Sequence, residues 1–149
     1  MFRKILVPTD GSALSEDAAA AAVALARGSN AEIVALSVAQ PPLPAAGGAS
    51  EVAMAAERER ALGVAAQRAG RVAQLAQEAG VPHSLVTAAA SSQHDEIIRV
   101  ALELHCDCIF MAAHGQCGVT RLIAARVPQL VLAYSPVPVI LYRGSTQPA

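Results

Sequence analysis

With 149 residues, 54% of them hydrophobic, the chain has the length of one domain and enough apolar surface for a sizeable core. A formal net charge of −1 argues against a surface that seeks the phosphates of nucleic acid or of anionic membrane, and 3% aromatic residues with no Trp argue against base-stacking platforms. The core must be aliphatic and alanine-rich, and neither nucleic acid nor membrane is expected as a partner.

Met1-Phe2-Arg3-Lys4 runs directly into a strand-like segment, without the apolar stretch and small-residue cleavage site of a secretion signal. Charges interrupt the alanine-rich segments before any reaches the ~18 apolar residues of a spanning helix. Cys106, Cys108 and Cys117 form an odd set with no disulfide framework, which suits a reducing cytoplasm.

In chain order, Ile5-Leu6-Val7 is an aliphatic run too short for a helix and suited to a strand buried on both faces. Asp10-Gly11-Ser12 marks a turn into an alanine-rich helix that ends near Arg27-Gly28, with Glu16 and Asp17 early and Arg27 late, as the helix dipole favours. Glu32 to Val38 reads as a second buried strand, and a strand, helix, strand succession of this length requires a parallel crossover. Residues 40–49, with Pro41, Pro42, Pro44, Gly47 and Gly48, form the one long loop, placed to serve as a flap.

Ser50 to about Glu78 is a long second helix, with Val52, Ala56, Leu62, Ala66, Val72 and Leu75 near helical spacing on its expected inner face. Its charge run, Glu57 to Arg60, reads as a solvated face. His83 to Thr87 is a third strand, and Asp95 to Leu104 a third helix with Ile97, Ile98, Ala101 and Leu102 inward. Cys108 to Ala112 is a fourth strand, Val127 to Ala133 a last helix, and Val137 to Tyr142 a last strand that Pro138 confines to an edge. Such alternation builds an α/β fold: an open, mostly parallel five-stranded sheet flanked by helices on both faces, without internal repeat or second domain. The tail, residues 144–149, is expected to be disordered.

In sheets of this kind ligands bind beyond the carboxyl ends of the strands, where the strand order reverses. Two loops fall there. In Pro8-Thr9-Asp10-Gly11-Ser12 the acid could accept hydrogen bonds from a ribose or an adenine amino group. Taken alone, capping of the first helix by Asp10 or Ser12 is the ordinary reading. The second loop, Met111 to Gly118, leaves strand four and leads toward the last helix.

Here the sequence resembles a known family. Ile5-Leu6-Val7-Pro8-Thr9-Asp10-Gly11-Ser12, the run ending in His114-Gly115, and Ser135-Pro136-Val137-Pro138-Val139 together look like the universal stress proteins, in that family's order and spacing from Arg3 to Arg143. The resemblance implies one universal stress domain over residues 1–143, with a Rossmann-like sheet of the adenine-nucleotide α-hydrolase-like kind. It also implies a homodimer through the edge strand Val137 to Tyr142, whose backbone groups would otherwise lack partners.

Many members of the family bind ATP through a glycine, two residues, a second glycine, nine residues, then glycine followed by serine or threonine. The corresponding positions here are Ala112, Gly115, Ala125 and Arg126, so one of the four is kept. Val127 falls at the next contact position, and Pro8, Thr9, Asp10, Val38 and Met111 match residues that line the family's adenine and ribose pocket. Ala112 and Ala125 each add a β-carbon where backbone would approach phosphate. Arg126 replaces a capping hydroxyl with a cation at a helix start, where the dipole disfavours it. Two roles stay open for Arg126, a phosphate contact in place of the glycine amides or a side chain turned to solvent. Counting from Gly118 instead brings the next motif position to Pro128, which has no amide proton, so that register fails.

His114 has no acid or nucleophile placed near it by sequence and reads as a structural or ligand-lining residue. Cys106 and Cys108, at period two on one face of a strand, read as buried core cysteines rather than half of a zinc site. Cys117, in the loop, is a candidate exposed thiol. The expected function is that of a non-enzymatic, homodimeric stress-response protein acting through partners, with a degenerate adenine-nucleotide pocket that binds ATP weakly or not at all. The alternative is a regulatory switch that binds ATP or AMP and uses Arg126 for phosphate contacts. A hydrolase or nucleotidyl-transfer enzyme finds no carboxylate pair or lysine-bearing phosphate loop in the sequence. No metal or catalytic residue is assigned.

Overall fold

Ile5, Leu6 and Val7 are fully buried because each meets a helix layer: Ile5 and Val7 point to one face of the sheet and Leu6 to the other. They lie in β1 (Lys4–Pro8), the central strand of a computed structural model that describes residues 1–41, 48, 50–113 and 126–144. The remaining elements are α1 (Ala13–Ser29), β2 (Glu32–Ala39), α2 (Glu51–Glu78), β3 (His83–Ala89), α3 (Gln93–Glu103), β4 (Cys108–Ala112), α4 (Arg126–Tyr134) and β5 (Val139–Tyr142).

The strands form one sheet in the order β3-β2-β1-β4-β5, with every neighbouring pair parallel. The chain builds outward from β1 to β3 on one side and then restarts at β4 on the other. The reversal therefore falls between β1 and β4. Asp107 fixes the opposite end of that pair, its two carboxylate oxygens accepting from the N–H groups of Arg3 at 2.8 Å and Lys4 at 3.1 Å.

Helices α1 and α2 cover one face, where Ala18, Ala22 and Ala26 of α1 and Ala69, Val72 and Ala76 of α2 pack on Ile5, Val7, Ile33 and Ala35. On the other face, Ile97, Val100 and Ala101 of α3 and Val131 of α4 pack on Leu6, Leu36 and Ile109. Alanine at these helix positions lets the helix backbones lie close to the sheet. No helix among the described residues is long and apolar enough to cross a membrane.

The alternation of strands and helices read from the sequence is the one observed, and Cys108–Ala112 is a strand with the expected bounds. Three expectations change. The inner face of α2 runs through Ala65, Ala69, Val72 and Ala76, while Val52, Ala56 and Ala66 are exposed. Its 28 residues span about 42 Å at about 1.5 Å each, against about 26 Å for the 8 residues of β2, so its first half overhangs the sheet. In α3 Val100 is buried and Leu102 is half exposed, because Ile97, Val100 and Ala101 form the i, i+3, i+4 stripe.

The last strand starts at Val139 rather than Val137, since Val137 N–H is turned to Ser135 Oγ at 3.0 Å. Pro138 precedes the strand and accepts from Ile109 N–H at 2.9 Å through its carbonyl. The strand does lie at a sheet edge, as expected. The proposed flap at residues 40–49 falls mostly outside the described residues, as does the tail beyond Gly144.

The corrected phase of α2 is open to test by a pair of substitutions. Ala69→Leu should lower the unfolding free energy by about 1–3 kcal/mol through overpacking. Ala66→Leu, three residues away on the exposed side, should stay within about 0.5 kcal/mol of the parent. Urea unfolding curves for the two variants measure the difference.

Candidate functional site

The carboxyl end of β1 is held by a small polar knot. Thr9, nearly buried, donates its N–H to Leu36 O at 2.8 Å, continuing the pairing of β1 with β2 past the last strand residue. Buried Ser37 donates its hydroxyl to Thr9 O at 3.1 Å. Ser15 Oγ donates to Ser12 O at 2.9 Å, so in its 3.0 Å contact with Thr9 Oγ1 the threonine is the donor. Thr9 Oγ1 in turn accepts from Gly11 N–H at 3.2 Å.

Ser12 is the cap of α1, its hydroxyl accepting from Ser15 N–H at 3.2 Å. Asp10 contributes one turn of backbone, with Oδ1 accepting from Ser12 N–H at 2.9 Å. Gly11 between them has φ of +79°, a conformation that favours glycine. A β-carbon there would also come within 2.9 Å of Arg68 Nε, so the Arg68 side chain lies across Gly11 from α2.

Beyond this knot, at the reversal between β1 and β4, opens a cleft of about 80 Å³. That is several times the space one water requires. Its apolar lining, Leu36, Val38, Ile97, Met111 and Val127, belongs to the layer under α3 and α4. Thr9, Asp10, Ser15, Arg68 and Gln93 add polar groups, and Pro8, Ala112 and Pro128 complete the wall. The combination of apolar lining with a few convergent polar groups is that of a small-molecule site.

Seven positions matched to the pocket by resemblance therefore meet in one cleft: Pro8, Thr9, Asp10, Val38, Met111, Ala112 and Val127. Arg126 does not line it and is exposed at the start of α4. Gly115 and Ala125 lie outside the described residues, as do His114, Cys117 and Gly118.

Sequence reasoning missed Ser15, Leu36, Arg68, Gln93, Ile97 and Pro128 as lining residues. Leu36 was within reach, since it stands two residues before Val38 on the same side of β2. Ile97 was expected inward but given no site role. Arg68 is one of several charges on α2, and nothing in the sequence separates it from the rest.

Cys106 and Cys108 are buried free thiols, as expected, but they do not share a face. Cys106 precedes β4 and packs in the layer with Leu6 and Ile109, whereas Cys108 packs with Ile5 and Val7. Burial pushes Cys106 up to about 11 against the opposing effect of Lys4, and burial likewise pushes Cys108 up to about 11 with the Asp107 charge adding to it. Among the described residues no cluster of three His, Cys, Asp or Glu side chains is arranged for a metal.

A family model described as the universal stress protein family matches residues 1–143. The chain belongs to the universal stress protein family. No curated protein gives a significant match. Among solved structures, a universal stress protein from Lactobacillus plantarum is 23% identical, with 95% of this chain and 97% of that one aligned at a TM-score of 0.72. One from Arabidopsis thaliana with AMP bound is 14% identical over 97% of this chain and 93% of that one, at a TM-score of 0.68. One from Archaeoglobus fulgidus in complex with dAMP is 18% identical over 93% and 96% of the two chains, at a TM-score of 0.58. At these identities the likeness is one of fold, and it agrees with the five-stranded parallel sheet described above.

Two outcomes follow from the site's construction. Thr9→Val removes the acceptor of Gly11 N–H and the hydroxyl that donates to Ser15 Oγ, which keeps its own bond to Ser12 O, and should cost about 1–3 kcal/mol of unfolding free energy, read by urea denaturation. In a Cys117→Ser background, a thiol reagent at pH 8 should label Cys106 and Cys108 only as fast as the protein unfolds, because their raised pKa values leave almost no thiolate. Rapid native labelling of either would contradict their burial.

Proposed function

We propose that this universal stress protein is a non-enzymatic, cytoplasmic homodimer that acts through partner proteins, and that its cleft takes the nucleoside half of an adenine nucleotide. In this reading the β- and γ-phosphates of ATP add little to binding. One observation carries it: Pro8, Asp10, Val38, Met111 and Val127 share a cleft that Arg126 does not line, and Ala112 stands in its wall at the first position of the phosphate motif.

Each residue then has a part. Val38, Met111 and Val127 give the base an apolar surface, and the Asp10 carboxylate accepts hydrogen bonds from an adenine amino group or a ribose hydroxyl. Ala112 carries a β-carbon where the family's glycine allows close approach of phosphate. The nucleotides named with the Arabidopsis thaliana and Archaeoglobus fulgidus proteins, AMP and dAMP, are monophosphates, which agrees with a pocket that relies on the nucleoside. The outer edge of β5, the last strand of the sheet with Val139, Ile140 and Leu141 partly buried, supports pairing with a second copy. The alternative switch, in which Arg126 holds the phosphates, has less support because that residue is exposed and does not line the cleft.

Calorimetry on nucleotide-stripped protein tests the reading. ATP should bind no more than about threefold tighter than AMP, a gain of less than about 0.7 kcal/mol, and Arg126→Ala should change neither affinity. ATP binding tenfold or more tighter than AMP, with that advantage lost in Arg126→Ala, would establish the switch instead.

A further inference from the structure

Arg68 stands in the cleft for a reason that neither the strands nor the phosphate motif supplies. It comes from α2, the helix on the opposite face of the sheet from the cleft's apolar lining, and its side chain crosses Gly11 to reach the cleft wall. Ala65 and Ala69 on either side of it are buried, which lets α2 approach closely enough for the crossing. Gly11 permits it as well, since a β-carbon there would meet Nε at 2.9 Å, Cγ at 3.0 Å and Cδ at 3.1 Å.

Among the described residues the charge carried into the cleft is in no ion pair. One turn further along α2, Arg71 is paired with Glu16 of α1 at 3.5 Å, but among the described residues no carboxylate lies within ion-pair distance of Arg68. A half-buried guanidinium gives up hydration, and a bound anion would restore what it loses. The planar guanidinium fork presents paired donors suited to phosphate. Asp10 lines the same cleft, so a ligand that reaches both side chains would carry hydroxyl or amino donors toward the carboxylate and one anionic group toward Arg68.

We propose that Arg68 is the phosphate-binding residue of this cleft and makes it selective for a nucleoside monophosphate over the bare nucleoside. The proposal rests on the nucleoside reading given above, and it moves the phosphate contact from the family's motif loop to α2. The single cation explains why a monophosphate suffices. A longer phosphate chain would meet no further positive charge among the cleft's described residues.

Calorimetry on nucleotide-stripped protein with adenosine, AMP and inorganic phosphate separates the possibilities. AMP should bind about tenfold or more tighter than adenosine at low salt, in keeping with hydrogen bonds to a charged group. Arg68→Gln should bring AMP down to the affinity of adenosine and leave adenosine unchanged, and Arg68→Lys should fall between, keeping the charge but losing the fork. Circular dichroism and the urea midpoint confirm that each variant is folded.

If the parent protein binds adenosine and AMP equally, or if Arg68→Gln weakens both alike, the role of Arg68 is overturned while the nucleoside pocket stands. Should the parent bind neither, the pocket reading falls and the proposal with it. Inorganic phosphate that binds as tightly as AMP would show a plain anion site, which overturns the monophosphate selectivity.

Discussion

The fold and the cleft both depend on how β1 ends. Thr9 is joined to β2 through its amide, to Ser37 through its carbonyl and to α1 through its hydroxyl, so one residue fixes the strand, its neighbour and the helix above them. All of these groups are buried or nearly so, where an unmade hydrogen bond is most costly. The turn that follows can then hold Gly11 at positive φ and present Asp10 at the cleft without further support from the core. At the other end of the strand, Asp107 performs the same task for β1 and β4. The reversal point is thus pinned on both sides of a short strand.

Around this frame the alanine content of the chain has a geometric purpose. Small side chains on α1 and α2 bring helix backbones against the sheet, and the sheet itself supplies the larger aliphatic residues, Ile5, Ile33, Leu36 and Ile109. The close approach of α2 brings Arg68 over the carboxyl end of β1. A bulkier contact layer would hold α2 further away and leave that side chain short of the cleft. Packing on one face thereby sets the electrostatics of a site whose apolar lining belongs to the other.

Much of this was legible in the sequence. Continuous aliphatic runs marked the strands, the turn at Asp10-Gly11-Ser12 marked the start of α1, and the alternation of elements required a parallel sheet. The nucleoside side of the cleft could be named because its residues sit at strand ends, where fixed spacing translates directly into position. What failed was the phase of long helices. In α2 the apolar residues spread around the cylinder, and only the length of the sheet decides which of them find a surface to cover, as exposed Val52 and Ala66 against buried Ala65 and Val72 make plain. Cys106 and Cys108 were misplaced for a related reason: two-residue spacing predicts a shared face only inside a strand, and Cys106 lies before β4 begins. Arg68 was illegible because its importance arises from a tertiary crossing, and a charge on a helix surface carries no mark of what lies opposite.

The overhang of α2 makes one continuous helix behave as two segments in time. Residues 51–64 contain no fully buried side chain, so their amide hydrogens are sheltered from exchange only by the helix's own hydrogen bonds, while residues 65–78 share the protection of the sheet. Fourteen residues are near the lower limit at which a helix persists unaided in water, about 12–15. Opening of the outer segment should therefore be frequent and stop about where Ala65 first touches the core. Arg68 stands one turn inside that boundary, on the part of the helix that stays closed.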